Sequence, residues 1–199
     1  MNGWRLTGWL SLLPAAMALG LTAGHGWDVD GVRVAIRATA RTSLLLFAMA
    51  FTAGALAELL PSAATRWQRR NRRYLGVSFA VSHFIHLAAI LALAAMDRAL
   101  FGQLVNAATI VLAGTAYLFI AAMTATSFDA TARWLGPGKW RLLHLIGGWY
   151  IWVSFAVAVG RRVPFDAFYW PWAGLVVAIA VVRLIAMVRR GRRESPLGA

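Results

Sequence analysis

Residues 66–96 read RWQRRNRRYLGVSFAVSHFIHLAAILALAAM. Arg66, Arg69, Arg70, Arg72 and Arg73 crowd the start, and about twenty mostly apolar residues follow, enough for one helix to cross a bilayer. His83 and His86 stand inside that crossing three residues apart, so on a helix they share a face. Phe79 and Arg72 fall close to the same stripe toward the basic end. Ionisable groups at membrane depth are costly and face a bundle interior, where they mark a site by default.

The rest of the chain has the same character. It has 199 residues, 60% of them hydrophobic and only 14% charged, with a positive mean hydropathy, which excludes an ordinary soluble domain and leaves no room for a second large one. The formal net charge of +13 rests on nineteen arginines and one lysine. These cluster in short loops between apolar runs, which points to membrane orientation and away from nucleic acid. There is no cysteine, so disulfides, iron–sulfur clusters and thiolate-ligated heme are excluded.

Six apolar runs of membrane-crossing length give an all-α polytopic fold, a six-transmembrane-helix bundle forming one domain over residues 1–199. The expected spans are 4–23, 42–60, 74–96, 104–126, 140–159 and 168–188. The first run is long for a signal peptide, so it is expected to be retained. Residues 24–37, GHGWDVDGVRVAIR, read as a solvated loop, and Pro61 stops the second span. Glu58 is expected to pair with arginines of the following loop or to snorkel, and Arg183 to snorkel toward the basic end of the last span. Asp97 to Gln103 reads as a tiny loop, and Pro137 and Gly138 as a break before the fifth span.

Orientation follows from the basic residues. Arg5, the five from Arg66 to Arg73, Arg133, Lys139, Arg141 and the four arginines after Val188 lie on one side; Arg33, Arg37, Arg41, Arg98, Arg161 and Arg162 lie on the other. The larger set belongs in the cytoplasm, which places both termini inside a bacterial inner (plasma) membrane.

Spans three and five then run in the same direction and both carry histidine: His83 and His86 in one, His144 in the other. Two neutral imidazoles from different helices suffice to hold a b-type heme in a helical bundle. Gly147 and Gly148 lie on the His144 side of span five, where missing side chains would leave a flat space for a macrocycle. Depth works against a simple His86–His144 pair. With span three starting near Asn71 and span five near Pro137, His86 lies roughly 22 Å, His83 roughly 18 Å and His144 roughly 10 Å along their helices.

RRYLGVSFAVSHFIHL (72–87) and TSFDATARWLGPGKWRLLH (126–144) together resemble the ferric reductase-like transmembrane domain family. Within that family the likeness is greatest to the bacterial heme-binding membrane subunits that feed electrons to a periplasmic methionine sulfoxide reductase. His25-Gly26, Arg41-Thr42 and Arg183 extend it over most of the chain. The resemblance implies His86 and His144 as axial ligands of heme iron and a basic residue, Arg72, near the inner heme; the depths along the two helices add His83 as a substitute for His86. Family members with two hemes carry a further histidine thirteen residues beyond the first in span five; here that position is Val157.

Three arrangements remain open. One heme lies between span three and His144, with His83 replacing or supplementing His86; or His144 holds an inner heme opposite Arg72 or water while His86 holds an outer one from one side; or the fold is kept without heme. In the first two, Arg41 outside and Arg72 or Arg73 inside are expected to neutralise propionates. The expected function is a membrane electron-transfer component of an oxidoreductase carrying heme b, one per chain. No strand–GxGxxG–helix unit is present. Electrons must therefore come from quinol or a separate cytoplasmic reductase, and pass to a periplasmic oxidoreductase subunit or a small acceptor. The alternative is a heme-free membrane scaffold or small transporter with the same fold.

Overall fold

The computed structural model describes residues 2–194, with the side chains of the last two of these left aside. Residues 195–199, the end of the basic tail, lie outside the described residues. Among the described residues there is no strand, and nine helices follow in order. They are α1 (Trp4–Gly24), α2 (Val29–Leu59), α3 (Ala63–Arg70), α4 (Arg72–Met96), α5 (Arg98–Leu104), α6 (Ala107–Ala125), α7 (Asp129–Leu135), α8 (Pro137–Gly160) and α9 (Trp170–Glu194). A 3₁₀ turn, Ala167–Tyr169, leads into α9. α1, α2, α4, α6, α8 and the segment Ala167–Arg192 are long and apolar enough to cross a membrane. The chain is an all-α, multi-pass membrane protein built as a six-helix bundle.

Short polar residues set the helix starts. Asp28 accepts from Gly31 N at 2.8 Å, Asp97 from Leu100 N at 2.9 Å and Asn106 from Thr109 N at 2.9 Å, each satisfying an N–H that has no intrahelical partner. Ser62 and Thr65 exchange bonds in a capping box that opens α3. Pro137 occupies the first turn of α8 and so starts that helix, while the break before it falls at Gly136, whose φ is +79°.

Three boundaries depart from the sequence reading. α2 begins at Val29, so most of the expected loop 24–37 is helix. Arg33, Arg37 and Arg41 make that stretch look polar, but a spacing of four puts them on one face while Ala35 and Thr39 are fully buried on another. At roughly 46 Å, α2 outruns the hydrocarbon layer and carries its first turns into the interface. Residues 98–104 form the short helix α5 where a loop is expected, and 129–135 form α7.

α2 is the axis of the bundle. It packs most extensively on α4 and also contacts α1, α3 and α9, while α6 pairs with α8. The α2–α4 seam uses small side chains whose hydroxyls meet in pairs: Ser43 Oγ to Ser82 Oγ at 2.9 Å, and Thr39 Oγ1 to His86 Nδ1 at 3.1 Å. Small residues let membrane helices approach closely, and the hydroxyls then find partners across the seam.

Two charged residues take partners other than those expected. Glu58 is bonded by Arg190 of α9 at 2.6 Å instead of by the 66–73 arginines. Arg183 turns inward, its guanidinium 4.3 Å from the Phe51 ring centroid and 3.4 Å from the Phe51 carbonyl oxygen, where an aromatic face and a carbonyl together hold the cation.

Candidate functional site

α4 and α8 each present a continuous stripe to the bundle interior, and the two stripes line two cavities stacked along the bundle. The proximal cavity, about 390 Å³, lies at the end where α3 meets α4; Arg72, Gly76 and Phe79 of α4 face His144, Gly148 and Ile151 of α8. The distal cavity, about 440 Å³, follows along the same helices; His83, His86 and Ile90 of α4 face Ile151, Ser154 and Ala158 of α8. Both volumes fall in the lower half of the usual range for cofactor and small-molecule pockets. Phenylalanines separate the two: Phe47, Phe79 and Phe155 stand 5.4–6.2 Å apart between ring centroids, with Phe51 stacked on Phe47 at 4.9 Å.

The structure therefore brings His83 and His86 together and sets His144 apart from both. The His83 and His86 ring centroids are 5.3 Å apart, and both imidazoles line the distal cavity. His144 lines the proximal one, stacked on Trp140 at 4.1 Å with Nε2 3.4 Å from Thr126 Oγ1. α4 starts at Arg72 and α8 at Pro137, so the offset in depth between the two helices' histidines follows from where each helix begins. A pair three residues apart on one helix cannot ligate opposite faces of one macrocycle, because the helix itself blocks the space between them. Facing them across the distal cavity are Tyr117, Ser154 and Phe155, with no imidazole besides His83 and His86 among the described lining residues.

Gly147 and Gly148 do not leave the flat space expected of them. A Cβ on Gly148 would come within 2.6 Å of Phe51 Cε2, and one on Gly147 within 2.6 Å of Met123 Sδ. Their missing side chains are filled by neighbouring helices. The open glycine is Gly76 of α4, which lines the proximal cavity and has nothing within 4 Å of where its Cβ would be.

Cations ring both cavities. Arg69, Arg70, Arg72 and Arg73 line the proximal one; Arg73 there bonds the Ser127 carbonyl and pairs with Asp129 at 2.9 Å. Arg37, Arg41, Arg161 and Arg162 line the distal one, and no carboxylate is among its lining residues. Arg41 lies over Phe168 at 4.4 Å and near Tyr169 at 5.6 Å, with its Nε buried and unbonded. Arg161 donates to Thr109 Oγ1 at 3.2 Å and Arg162 to the Ala158 carbonyl at 2.8 Å. A pocket with apolar walls, imidazole nitrogen on one side and uncompensated guanidinium at its mouth suits a planar apolar group carrying carboxylates.

Several members of this constellation were not singled out in the sequence. Arg37, Arg161 and Arg162 read as loop charges, and Thr39 fell between the expected loop 24–37 and the expected span 42–60, because the early start of α2 is hidden by its arginine stripe. Tyr117 does reach a neighbouring helix, donating to the His83 carbonyl at 3.2 Å. No family model, curated protein or solved structure matches this chain.

Proposed function

We propose that the chain is a transmembrane electron-transfer subunit that carries heme b in its distal cavity, as its resemblance to the ferric reductase-like family implies. One observation carries this reading: an interior imidazole pair faces an apolar cavity whose mouth holds four arginines and no acid. His86 would hold the group from α4 through a ring nitrogen, with His83 one turn below as the substitute. Leu44, Ile90, Leu93 and Phe155 supply apolar wall. Arg41 and Arg162, fixed on Tyr169, offer their charge to propionates. When bound, the group supplies reversible one-electron chemistry within the bilayer. The proximal cavity, with His144 and Arg72, lies on the side where electrons would be received from a quinol or a cytoplasmic reductase. By the distribution of basic residues that side is cytoplasmic, and the distal cavity opens toward a periplasmic acceptor.

The test is the visible spectrum of the detergent-purified full chain, oxidised and dithionite-reduced, with pyridine extraction to count hemes. About one heme per chain is expected, lost in His86→Ala and retained in His144→Ala. Because no second imidazole faces His86, the reduced protein is expected to bind carbon monoxide. A colourless protein that takes up no added hemin refutes the proposal. Loss of heme in His144→Ala but not in His83→Ala/His86→Ala moves the site to the proximal cavity.

A further inference from the structure

Thr39 is fully buried on α2, and its hydroxyl touches three polar atoms: the Ala35 carbonyl at 2.7 Å, the Ile36 carbonyl at 3.2 Å and His86 Nδ1 at 3.1 Å. A hydroxyl has one hydrogen to give and lone pairs to accept with. Where that hydrogen goes is indicated by the rest of the bundle. Thr22, Thr42, Thr52, Ser78 and Thr124 each donate to the carbonyl four residues back, at 2.6–3.0 Å. Thr39 does the same toward Ala35, and this is its shortest contact. What remains for His86 is a lone pair, so Nδ1 must carry the proton and donate.

We infer that Thr39 is a positioning residue which, through this bond, fixes His86 as the Nδ1–H tautomer and leaves the Nε2 lone pair free for a metal centre in the distal cavity. The arrangement is that of a ligating histidine whose outer nitrogen is tied to a neighbouring acceptor, setting both tautomer and ring orientation. The bond sits on a rigid seam. Four residues on along α2 and four back along α4, as antiparallel helices place them, Ser43 meets Ser82 at 2.9 Å, both fully buried. His83 has no such tether: its Nδ1 is buried without a partner, and the nearby Tyr117 hydroxyl is spent on the His83 main-chain carbonyl. Thr39 therefore selects His86 over His83 as the prepared ligand. The tautomer assignment stands on the hydrogen bonds alone; its use as a ligand rests on the function proposed above.

The experiment is ¹⁵N spectroscopy of the full chain labelled at histidine, expressed under heme limitation, with the His86 signals assigned by their absence in His86→Gln. Wild type is expected to show His86 with Nδ1 protonated and Nε2 bare. Thr39→Val, which keeps the shape and removes the hydroxyl, should lower the ratio of Nδ1–H to Nε2–H forms roughly fivefold, the weight of one ordinary hydrogen bond, and Thr39→Ser should restore it. In heme-loaded protein Thr39→Val should raise the midpoint potential, since the ligand loses basicity, with Thr39→Ser again reverting it. An Nε2–H form in the wild type, or a tautomer ratio that does not change in Thr39→Val, overturns the inference. Protein that takes up no heme yet shows the expected tautomers defeats the electron-transfer reading and leaves the role of Thr39 standing.

Discussion

Gly148→Ala adds one methyl group where α8 meets the Phe51 ring of α2. Its Cβ would lie 2.6 Å from Phe51 Cε2 and 3.1 Å from Cδ2, whereas unstrained carbons sit at about 3.5–4.0 Å, so the ring must retreat by about 1 Å. Phe51 has little freedom to do so. It is stacked on Phe47 at 4.9 Å, meets Trp149 edge-on at 5.5 Å and lies beneath the Arg183 guanidinium at 4.3 Å. Overpacking of this kind costs about 1–3 kcal/mol, while replacing glycine by alanine inside a helix returns about 0.8–1 kcal/mol. The net expectation is a loss of up to about 2 kcal/mol, a fall of up to several degrees in the thermal unfolding midpoint of the detergent-solubilised chain. Gly147→Ala is the control. Its Cβ meets first the sulfur of Met123, the adaptable part of a flexible side chain, so its cost should be smaller. In a Phe51→Leu background the Gly148→Ala penalty should shrink, a coupling of at least about 0.5 kcal/mol. A Gly148→Ala protein that melts at or above the wild-type temperature, or a Gly147→Ala protein that suffers equally, would refute the reasoning.

Two further outcomes can be checked with the same material. Asn71, only 2% exposed, accepts from Gly3 N at 3.1 Å and donates to Asn2 Oδ1 at 2.9 Å and the Trp67 carbonyl at 3.0 Å; Asn71→Leu should cost about 1–3 kcal/mol in thermal unfolding and speed proteolysis of the N-terminal segment. Ala158 lines the distal cavity beside Arg162, whereas Val157 lines neither cavity; in heme-loaded protein Ala158→His should therefore suppress carbon monoxide binding and sharpen the reduced bands, and Val157→His should change neither.

The fold was legible because a bilayer leaves so few options: six apolar runs of sufficient length can only be helices, and they are. Helix starts near Asn71 and Pro137 were readable, although the break was read at Pro137–Gly138 and falls at Gly136, and they suffice to separate His86 from His144 in depth. Distant partners were not legible. The Thr39–His86 bond joins residues 47 apart, and Glu58 finds Arg190 132 positions away, across helices whose relative rotation no local pattern records. Gly147 and Gly148 failed as predictors for the same reason, since a missing side chain admits a cofactor or a neighbour's side chain equally well, and only the assembled bundle decides. The start of α2 was hidden by composition, because three arginines lowered its hydropathy while their spacing of four kept it helical.

The phenylalanines between the two cavities also have an electrical meaning. If water fills both chambers, the low-dielectric material separating aqueous space on either side is reduced to a barrier a few rings thick, and the membrane voltage falls mainly across Phe47, Phe79 and Phe155. A charge stepping from one chamber to the other would then traverse most of that drop and gain or lose about 2.3 kcal/mol per 100 mV, without travelling the full width of the bilayer.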